Sequence, residues 1–164
     1  MLLNIIIEPN EILHQKTQEL AQDKINTPEI RKLIKNMIET MNVKDGVGLA
    51  GSQVNVPLAI CVIHKNFTLD KKEDLVLINP IWEKMSIIKE WEEEGCLSVP
   101  GIWGKVKRYK KIKVKAFNQK GEPLKFIADK YLARIIQHEV DHLNGILFIS
   151  KAKNLRSATN ESNL

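Results

Sequence analysis

The sequence predicts an α+β domain in which mixed or antiparallel sheets pack around a central helix, with one further helix nearer the N-terminus. Three observations predict this class. A chain of 164 residues is long enough to enclose a hydrophobic core. Two segments repeat apolar residues at helical spacing. The short strand-like segments follow one another and do not alternate with helices as βαβ units would.

The first two elements precede a glycine-rich segment. The apolar run that begins at Leu2 stops at Glu8 and Pro9, so it is too short for a signal-peptide core and is predicted to be a strand or a packed arm. A helix is predicted from Thr27 to about Met41, because threonine suits an N-cap and the proline that follows suits the first helical position. The apolar positions that form its buried face are Ile30, Leu33, Ile34, Met37, Ile38 and Met41.

Strands are predicted at five places, mostly in the middle of the chain. Lys111 to Phe117 alternates lysines with apolar residues, which is typical of a strand with one face in water and one face buried. The lysines are therefore interpreted as a solvated face. The predicted strands are Pro57 to Ile63, Leu75 to Ile78 (ended by Asn79-Pro80), Lys111 to Phe117, a short one at Phe126-Ile127, and Ile146 to Ile149.

The second helix is predicted from Asp129, as N-cap, to about Asn144, and Gly145 suits the position after its end. Leu132, Ile135, Ile136 and Leu143 supply its apolar positions. Beyond Ser150 the sequence turns polar. We therefore predict one domain over residues 1–150 and a loosely held tail over residues 151–164.

Composition excludes several classes of protein. The hydrophobic fraction of 43% and charged fraction of 27% exclude disorder, collagen and coiled coil. The longest apolar stretch, Leu58 to Ile63, has six residues, whereas spanning a bilayer takes ~20. The net charge of +5 is too mild to identify a nucleic-acid binder. Two cysteines are too few for a disulfide scaffold, although one disulfide stays open, and they favour the reducing cytosol.

The second helix carries the sequence His138-Glu139-Val140-Asp141-His142, an HExxH pattern. Residues four apart share a helix face, so both imidazoles can reach one metal ion. Glu139 can then act as a base beside it. The pattern also occurs on solvated helix faces, which remains the alternative. Asp141 either orients a histidine or faces water.

A catalytic metal site of this kind needs a third protein ligand and an open fourth position. His14 and His64 lie in polar surroundings and are predicted to be surface residues, and Cys61 lies inside a strand as a buried, inert thiol. Cys96 is a better candidate, because it lies in a glycine-containing turn after an acidic run, where its side chain can point inward.

Glycines are concentrated in the segment from Gly46 to Gln53, after the first helix. The segment is not a phosphate-binding loop, because no Lys-Ser/Thr pair follows and it does not open a helix. A plain turn between helix and strand is one interpretation. The other is that the glycines let a backbone approach closely and that the Gln53 amide donates to an oxyanion.

Together, three motifs in this order resemble the peptide deformylase family: GxGxAAxQ at Gly46 to Gln53, EGCLS at Glu94 to Ser98, and QHExDHLxG at Gln137 to Gly145. The resemblance covers the chain from about Pro9 to Ile149. It implies one catalytic metallohydrolase domain that removes the formyl group from N-formylmethionine of newly made polypeptides and releases formate.

The resemblance also implies roles for individual residues. Cys96, His138 and His142 would be the metal ligands, and Glu139 the general base and acid. The Gln53 side chain and the Leu97 N–H would donate to the formyl oxygen. The residues that would contact or support the substrate site are Val47, Gly48, Leu49, Glu94, Gly95 and Ile135, with Glu94 behind the metal. We also predict, independently of the resemblance, that Arg108 pairs with Glu94.

Two positions depart from the family pattern. Gly51 stands where a second alanine is usual, and we expect it to loosen the loop before Gln53. Trp103 stands where some members carry an arginine that faces the substrate. The chain also lacks the long basic C-terminal helix with which some members dock on the ribosome, so only weak ribosome association is expected.

The expected cofactor is one metal ion per chain. A cysteine and two histidines suit zinc by general ligand preference, whereas the resemblance implies Fe2+, with Zn2+, Ni2+ or Co2+ as substitutes. The expected partners are nascent formyl-Met peptides, without a membrane or sequence-specific nucleic acid. The expected location is the cytoplasm, or an organellar stroma or matrix.

Two rival functions use the same residues differently. A metallopeptidase also uses HExxH but cleaves unformylated peptide bonds. A purely structural metal site needs four protein ligands, and no fourth ligand is evident near the motifs.

A third alternative, a nucleic-acid-binding module, does not involve these residues and is supported only by the net charge.

Overall fold

The structure, a computed structural model, describes residues 1–158. Over that range the chain forms helices α1 (Pro28–Val43) and α2 (Lys130–Leu143). The strands are β1 (Gly48–Ala50), β2 (Ile60–Ile63), β3 (Leu75–Lys84), β4 (Lys89–Cys96), β5 (Val99–Tyr109), β6 (Lys111–Phe117), β7 (Pro123–Asp129) and β8 (Lys153–Ser157). The predicted α+β class is confirmed.

The strands form two antiparallel sheets, one of five strands in the order β1-β2-β3-β6-β7 and one of three in the order β4-β5-β8. The side chains of β2 alternate between the two faces of the five-stranded sheet, and this shows which face each helix covers. Cys61 and Ile63 pack in the core that contains α2, and Ile60 and Val62 pack in the core that contains α1. The helices therefore cover opposite faces of the five-stranded sheet, and α2 also contacts β5.

The helix ends follow the capping residues. The Thr27 side chain accepts a hydrogen bond from the Ile30 N–H (3.4 Å), and α1 continues two residues past Met41. Asp129 is the N-cap of α2, although its side chain makes no capping bond. Gly145 has φ +73°, and a Cβ there would lie 2.5 Å from the His14 carbonyl oxygen. Only glycine fits this end of the helix.

Two of the predicted strands are wrong in extent or type. Strand β3 does not end at Asn79-Pro80 but continues to Lys84, because a shift of register between Ile78 and Ile81 accommodates the proline. Residues 146–149 form no strand. Leu147 and Phe148 are buried against the three-stranded sheet, and a short 3-10 helix (Phe148–Ser150) follows.

The N-terminal segment is a packed arm rather than a strand. The Ile6 N–H donates to the Gln53 carbonyl (2.8 Å) and the Glu8 N–H to the Ser98 carbonyl (2.9 Å), so the arm ties the two predicted loops of the site together. In the part of the chain that the structure describes, no helix has the length and apolar character that crossing a membrane requires.

The C-terminal segment is more ordered than its composition predicts. Residues 153–157 form β8, which pairs with β5 through Ile102–Ser157 and Trp103–Arg156. The prediction of a loosely held segment after Ser150 is wrong for these residues. The rest of the predicted tail, residues 159–164, lies outside the described residues.

Candidate metal centre

Cys96, His138 and His142 come together between the two sheets. Helix α2 places the histidines one turn apart, with ring centroids 4.9 Å from each other, and Cys96 is the last residue of β4. The candidate ligand atoms all lie within 4.8 Å of one another, and Cys96 Sγ is 3.2 Å from His142 Nε2. Metal–ligand bonds are about 2.0–2.3 Å long, so the three groups fit around one divalent ion.

The surroundings of the two histidines also fit metal binding. Burial lowers the pKa of His142 well below its usual value, which favours the neutral imidazole that metals bind. His138 Nδ1 contacts Glu94 Oε2 at 2.9 Å, which directs Nε2 towards Cys96. Burial acts to lower the pKa of His138, but Cys96 and Glu94 outweigh it and raise the pKa to about 10. A bound metal ion would take the place of this proton.

Glu139 lies beside the three candidate ligands and is buried. Its Oε2 has no hydrogen-bond partner among the described residues, and burial raises its pKa to about 7. The Glu139 carboxylate packs directly against Gly48, where any side chain would clash, because a Cβ at Gly48 would lie 2.5 Å from Glu139 Oε1. A carboxyl group with a pKa near neutrality can both accept and return a proton.

The amide nitrogen of Gln53 also points towards the candidate metal ligands. The Ala50 N–H donates to Gln53 Oε1 at 2.8 Å, which fixes the amide orientation. The amide NH2 then lies 3.4 Å from Cys96 Sγ and 3.1 Å from Ser98 Oγ. The side chain is a hydrogen-bond donor aimed at the centre.

Gly51 tightens the loop before Gln53 and does not loosen it. It begins a short 3-10 helix (Gly51–Val54), and a Cβ there would lie 2.7 Å from the Leu58 carbonyl oxygen and 2.9 Å from that of Val56. The expectation of a loose loop is therefore wrong. Because the neighbouring backbone occupies the volume of the missing methyl group, this chain requires glycine here.

We expect Gly51→Ala to lower the free energy of unfolding by about 1–3 kcal/mol, because backbone atoms must move to admit the methyl group. Chemical denaturation of the metal-loaded protein measures the change. The matched control is Gly46→Ala, whose new Cβ would meet the end of the Leu97 side chain at 3.0 Å and come no closer than 3.4 Å to backbone atoms. Equal losses for the two variants would contradict the packing argument.

Behind the histidines, Glu94 is the centre of a buried ionic network. It accepts hydrogen bonds from Arg108 Nε and Nη2 (both 2.9 Å) and from Arg134 Nη1 (2.7 Å). Burial acts to raise the pKa of Glu94, but Arg108 and His138 outweigh it and hold the pKa well below its usual range. The predicted Glu94–Arg108 pair is confirmed. Asp141 is paired with Arg108 and with Lys151 rather than facing water.

A cavity of about 340 Å³ opens beside the centre. Of the predicted substrate-site residues, Leu49 is absent from its walls. Leu49 is fully buried and packs with Met37 and Met41 in the α1 core, since side chains on β1 alternate and Gly48 faces Glu139. The predicted residues that do line the cavity are Val47, Gly48, Gln53, Glu94, Gly95, Cys96, Leu97, Ile135, His138 and Glu139.

Sequence reasoning missed part of the cavity wall. Tyr131 and Arg134 line it from α2, and Ile102 lines it from β5. Arg134 could have been found, because it precedes His138 by one helical turn and a buried arginine needs carboxylates nearby. Trp103 also lines the cavity; its ring lies over Gly95, where a Cβ would be 2.9 Å from Cζ3.

The other candidate residues lie elsewhere. His14 is exposed and contacts Glu8 (2.8 Å), and His64 is half-buried at the start of a short 3-10 helix. Cys61 is fully buried, and burial raises the pKa of its thiol. The predicted surface position is confirmed for His14 and holds only in part for His64, and the predicted burial of Cys61 is confirmed.

An HExxH helix with a cysteine beside it, a buried carboxylate and an adjoining cavity define a metal-dependent hydrolase. The polypeptide deformylase family matches residues 2–158. The chain is 43% identical to the peptide deformylase of Aquifex aeolicus, over 95% of this chain and 90% of that protein. It is 38% identical to that of Desulforudis audaxviator, over 90% and 92%.

Solved structures agree with the sequence comparison. A peptide deformylase from Thermotoga maritima superposes with a TM-score of 0.86 at 35% identity, covering 93% of this chain and 99% of that one. A class I type b peptide deformylase from Acinetobacter baumannii gives 0.86 at 32% identity, covering 92% and 99%. The chain belongs to the peptide deformylase family.

Proposed function

We propose that this protein hydrolyses the formamide of N-formylmethionine at the N-terminus of newly made polypeptides and releases formate. Family membership supports the reaction class. The observation that carries the proposal is that one cavity is lined by Cys96, His138, Glu139 and Gln53. The third candidate ligand, His142, lies behind this wall with its ligand atom within 4.8 Å of those of Cys96 and His138. These are the groups that a hydrolytic attack on a small, buried amide requires.

Cys96, His138 and His142 would hold one divalent ion. When bound, the metal supplies Lewis-acid chemistry, polarising a carbonyl group and making water more acidic. We propose Fe2+ as the ion in the cell, with Zn2+, Ni2+ or Co2+ as substitutes; the family resemblance supports iron, and the ligand types admit all four. A thiolate ligand also makes oxidation a hazard.

The chain's own residues move the protons. Glu139 accepts a proton from the water whose oxygen joins the formyl carbon. The C–N bond then breaks, and Glu139 returns the proton to the leaving amine, which yields formate and a free N-terminus. Gln53 NH2 and the Leu97 N–H donate to the formyl oxygen as its negative charge grows.

The cavity would receive the methionine side chain. Val47 and Ile135 provide apolar walls, and the exposed backbone at Gly48 and Gly95 lets an extended peptide approach from either side. We propose that nascent formyl-Met peptides are the substrates and that the reaction takes place in the cytoplasm, or in an organellar stroma or matrix. Weak ribosome association remains part of this proposal.

The first test is release of formate from formyl-Met-Ala-Ser by protein purified anaerobically with its metal counted. We expect turnover with about one metal ion per chain and no cleavage of unformylated Met-Ala-Ser. Cleavage of the unformylated peptide would instead indicate a metallopeptidase. Bound metal without any formate release would contradict the proposed reaction.

Cys96→Ser is expected to lose most of its metal on dialysis or to change which metal it retains, because an alcohol is a weaker ligand than a thiolate. Metal content is counted by mass spectrometry. Cys61→Ala is the matched control, since it removes the other thiol, which is buried and outside the cluster. Unchanged metal content and activity in Cys96→Ser would refute its role as a ligand.

A further inference from the structure

The outward face of the three-stranded sheet is strongly basic. Side chains alternate along its strands, so Glu94, Val106 and Arg108 point inward and are buried, while their neighbours face water. We use the name basic sheet face for the outward cations and the tryptophan among them: Lys89, Trp91, Lys105, Lys107, Lys153 and Arg156.

The charges of this face are not balanced. Its five cations lie beside one outward carboxylate, Glu93, which already accepts from Arg156 Nε at 3.0 Å. Strand pairing sets Lys105 opposite Lys153, and like charges in that arrangement are unfavourable. Within residues 1–158, lysines 89, 105, 107 and 153 form no ion pair. The face therefore favours a polyanionic partner.

An exposed indole lies among these cations. Trp91 is 41% exposed, and the ammonium groups of Lys107 and Lys153 lie 5.8 and 5.0 Å from its ring centroid. A sheet face that offers ammonium groups for phosphates and an aromatic ring for a base has the chemistry of single-stranded RNA binding. An acidic peptide would use the lysines but has no base to stack on the ring.

We propose that the basic sheet face docks RNA through phosphate contacts and base stacking, without reading its sequence. The face continues into the catalytic cavity, because Glu93 and Trp103 border the face and also line the cavity. Docking there directs the mouth of the cavity towards the RNA surface. RNA docking at this face does not depend on the proposed reaction.

The test measures binding of the metal-loaded protein to fluorescein-labelled oligouridylate by anisotropy, between about 0.05 and 0.2 M salt. The variant is Lys105→Ala/Lys153→Ala, which lies outside the cavity. We expect affinity to fall about tenfold at the low-salt end. The slope of log affinity against log salt should fall by about 1.4, since each phosphate contact on a single strand contributes about 0.7.

The matched control is Lys115→Ala/Lys125→Ala, another cross-strand lysine pair, on the five-stranded sheet. It makes the same change of net charge and should leave RNA affinity within about twofold. Trp91→Leu should weaken binding about fivefold or more without changing the salt slope, because it removes stacking and no charge. Formate release from a short formyl peptide should be unchanged in all three variants.

Two results would overturn the proposal. Equal loss of affinity in the two lysine pairs would show that net charge alone attracts RNA. Tighter binding of oligoglutamate than of oligouridylate, lost in Lys105→Ala/Lys153→Ala but kept in Trp91→Leu, would assign the face to an acidic peptide.

Discussion

Glu139→Gln is expected to lower kcat for formate release by about 10²–10⁴ while the metal stays bound. Glutamine keeps the size of the side chain and fits against Gly48, but it cannot accept a proton from water. The three candidate ligands are untouched, so metal content should stay near one per chain. Because the amide occupies the same volume, KM should change far less than kcat.

The control for this experiment is Glu122→Gln, an exposed carboxylate in the turn between β6 and β7. It should turn over as fast as the unsubstituted protein. Full activity in Glu139→Gln with metal bound would rule out the general-base assignment. Loss of metal together with activity would mean that Glu139 supports the site structurally, so both quantities are measured on the same preparation.

The helices and the metal centre were predictable because their signals are local. An N-cap threonine, a proline at the first helical position and a glycine with φ +73° mark the helix ends within a few residues. His138 and His142 are adjacent on any helix that contains them. The glycine-containing turn around Cys96 made it a candidate third ligand, but only the order of the three motifs linked it to these two histidines.

Strands β4 and β5 were not predicted because the layer between β4 and α2 is ionic. The inward side of β4 carries glutamates, among them Glu92 and Glu94, where a strand usually carries apolar residues. Arg134 on α2 and Arg108 on β5 neutralise them. The sequence of β4 therefore lacks the alternation of apolar and polar residues that predicts a strand, although every second side chain of β4 faces the interior.

The predictions for residues 146–149 and for Leu49 failed for the same reason. An apolar residue is expected to be buried, but its burial specifies neither its secondary structure nor the residues that it packs against. Residues 146–149 are apolar because Leu147 and Phe148 fill the core under the three-stranded sheet, where no further strand pairs with them. Leu49 follows Gly48 in the glycine-rich segment, but on a strand the two face opposite sides. Only the tertiary arrangement showed which side was the cavity.

The ionic layer between β4 and α2 connects the stability of the fold to the geometry of the metal centre. Arg108→Met is expected to lower the free energy of unfolding by about 3–5 kcal/mol. Arg108 is 4% exposed and donates to both Glu94 and Asp141. Its loss leaves Glu94 with Arg134 and His138, and Asp141 with Lys151, so both buried carboxylates lose part of their charge compensation and their hydrogen bonds to Arg108. Methionine fills much of the volume, which limits the loss from packing. Chemical denaturation of the metal-loaded protein measures the effect.

The control is Lys110→Met, which breaks the surface pair with Glu90, where both side chains are 40% or more exposed. Its cost should stay below about 1 kcal/mol. Adding Glu94→Gln to Arg108→Met removes one of the two carboxylates whose charge compensation was reduced, so the double variant should lose less stability than the two single losses added together. Strict additivity would contradict the electrostatic explanation and leave packing as the cause.

Glu94 also orients His138, so Arg108→Met should retain less metal than Lys110→Met. Equal metal retention in the two variants would mean that the ionic layer stabilises the fold without positioning the histidine ligand.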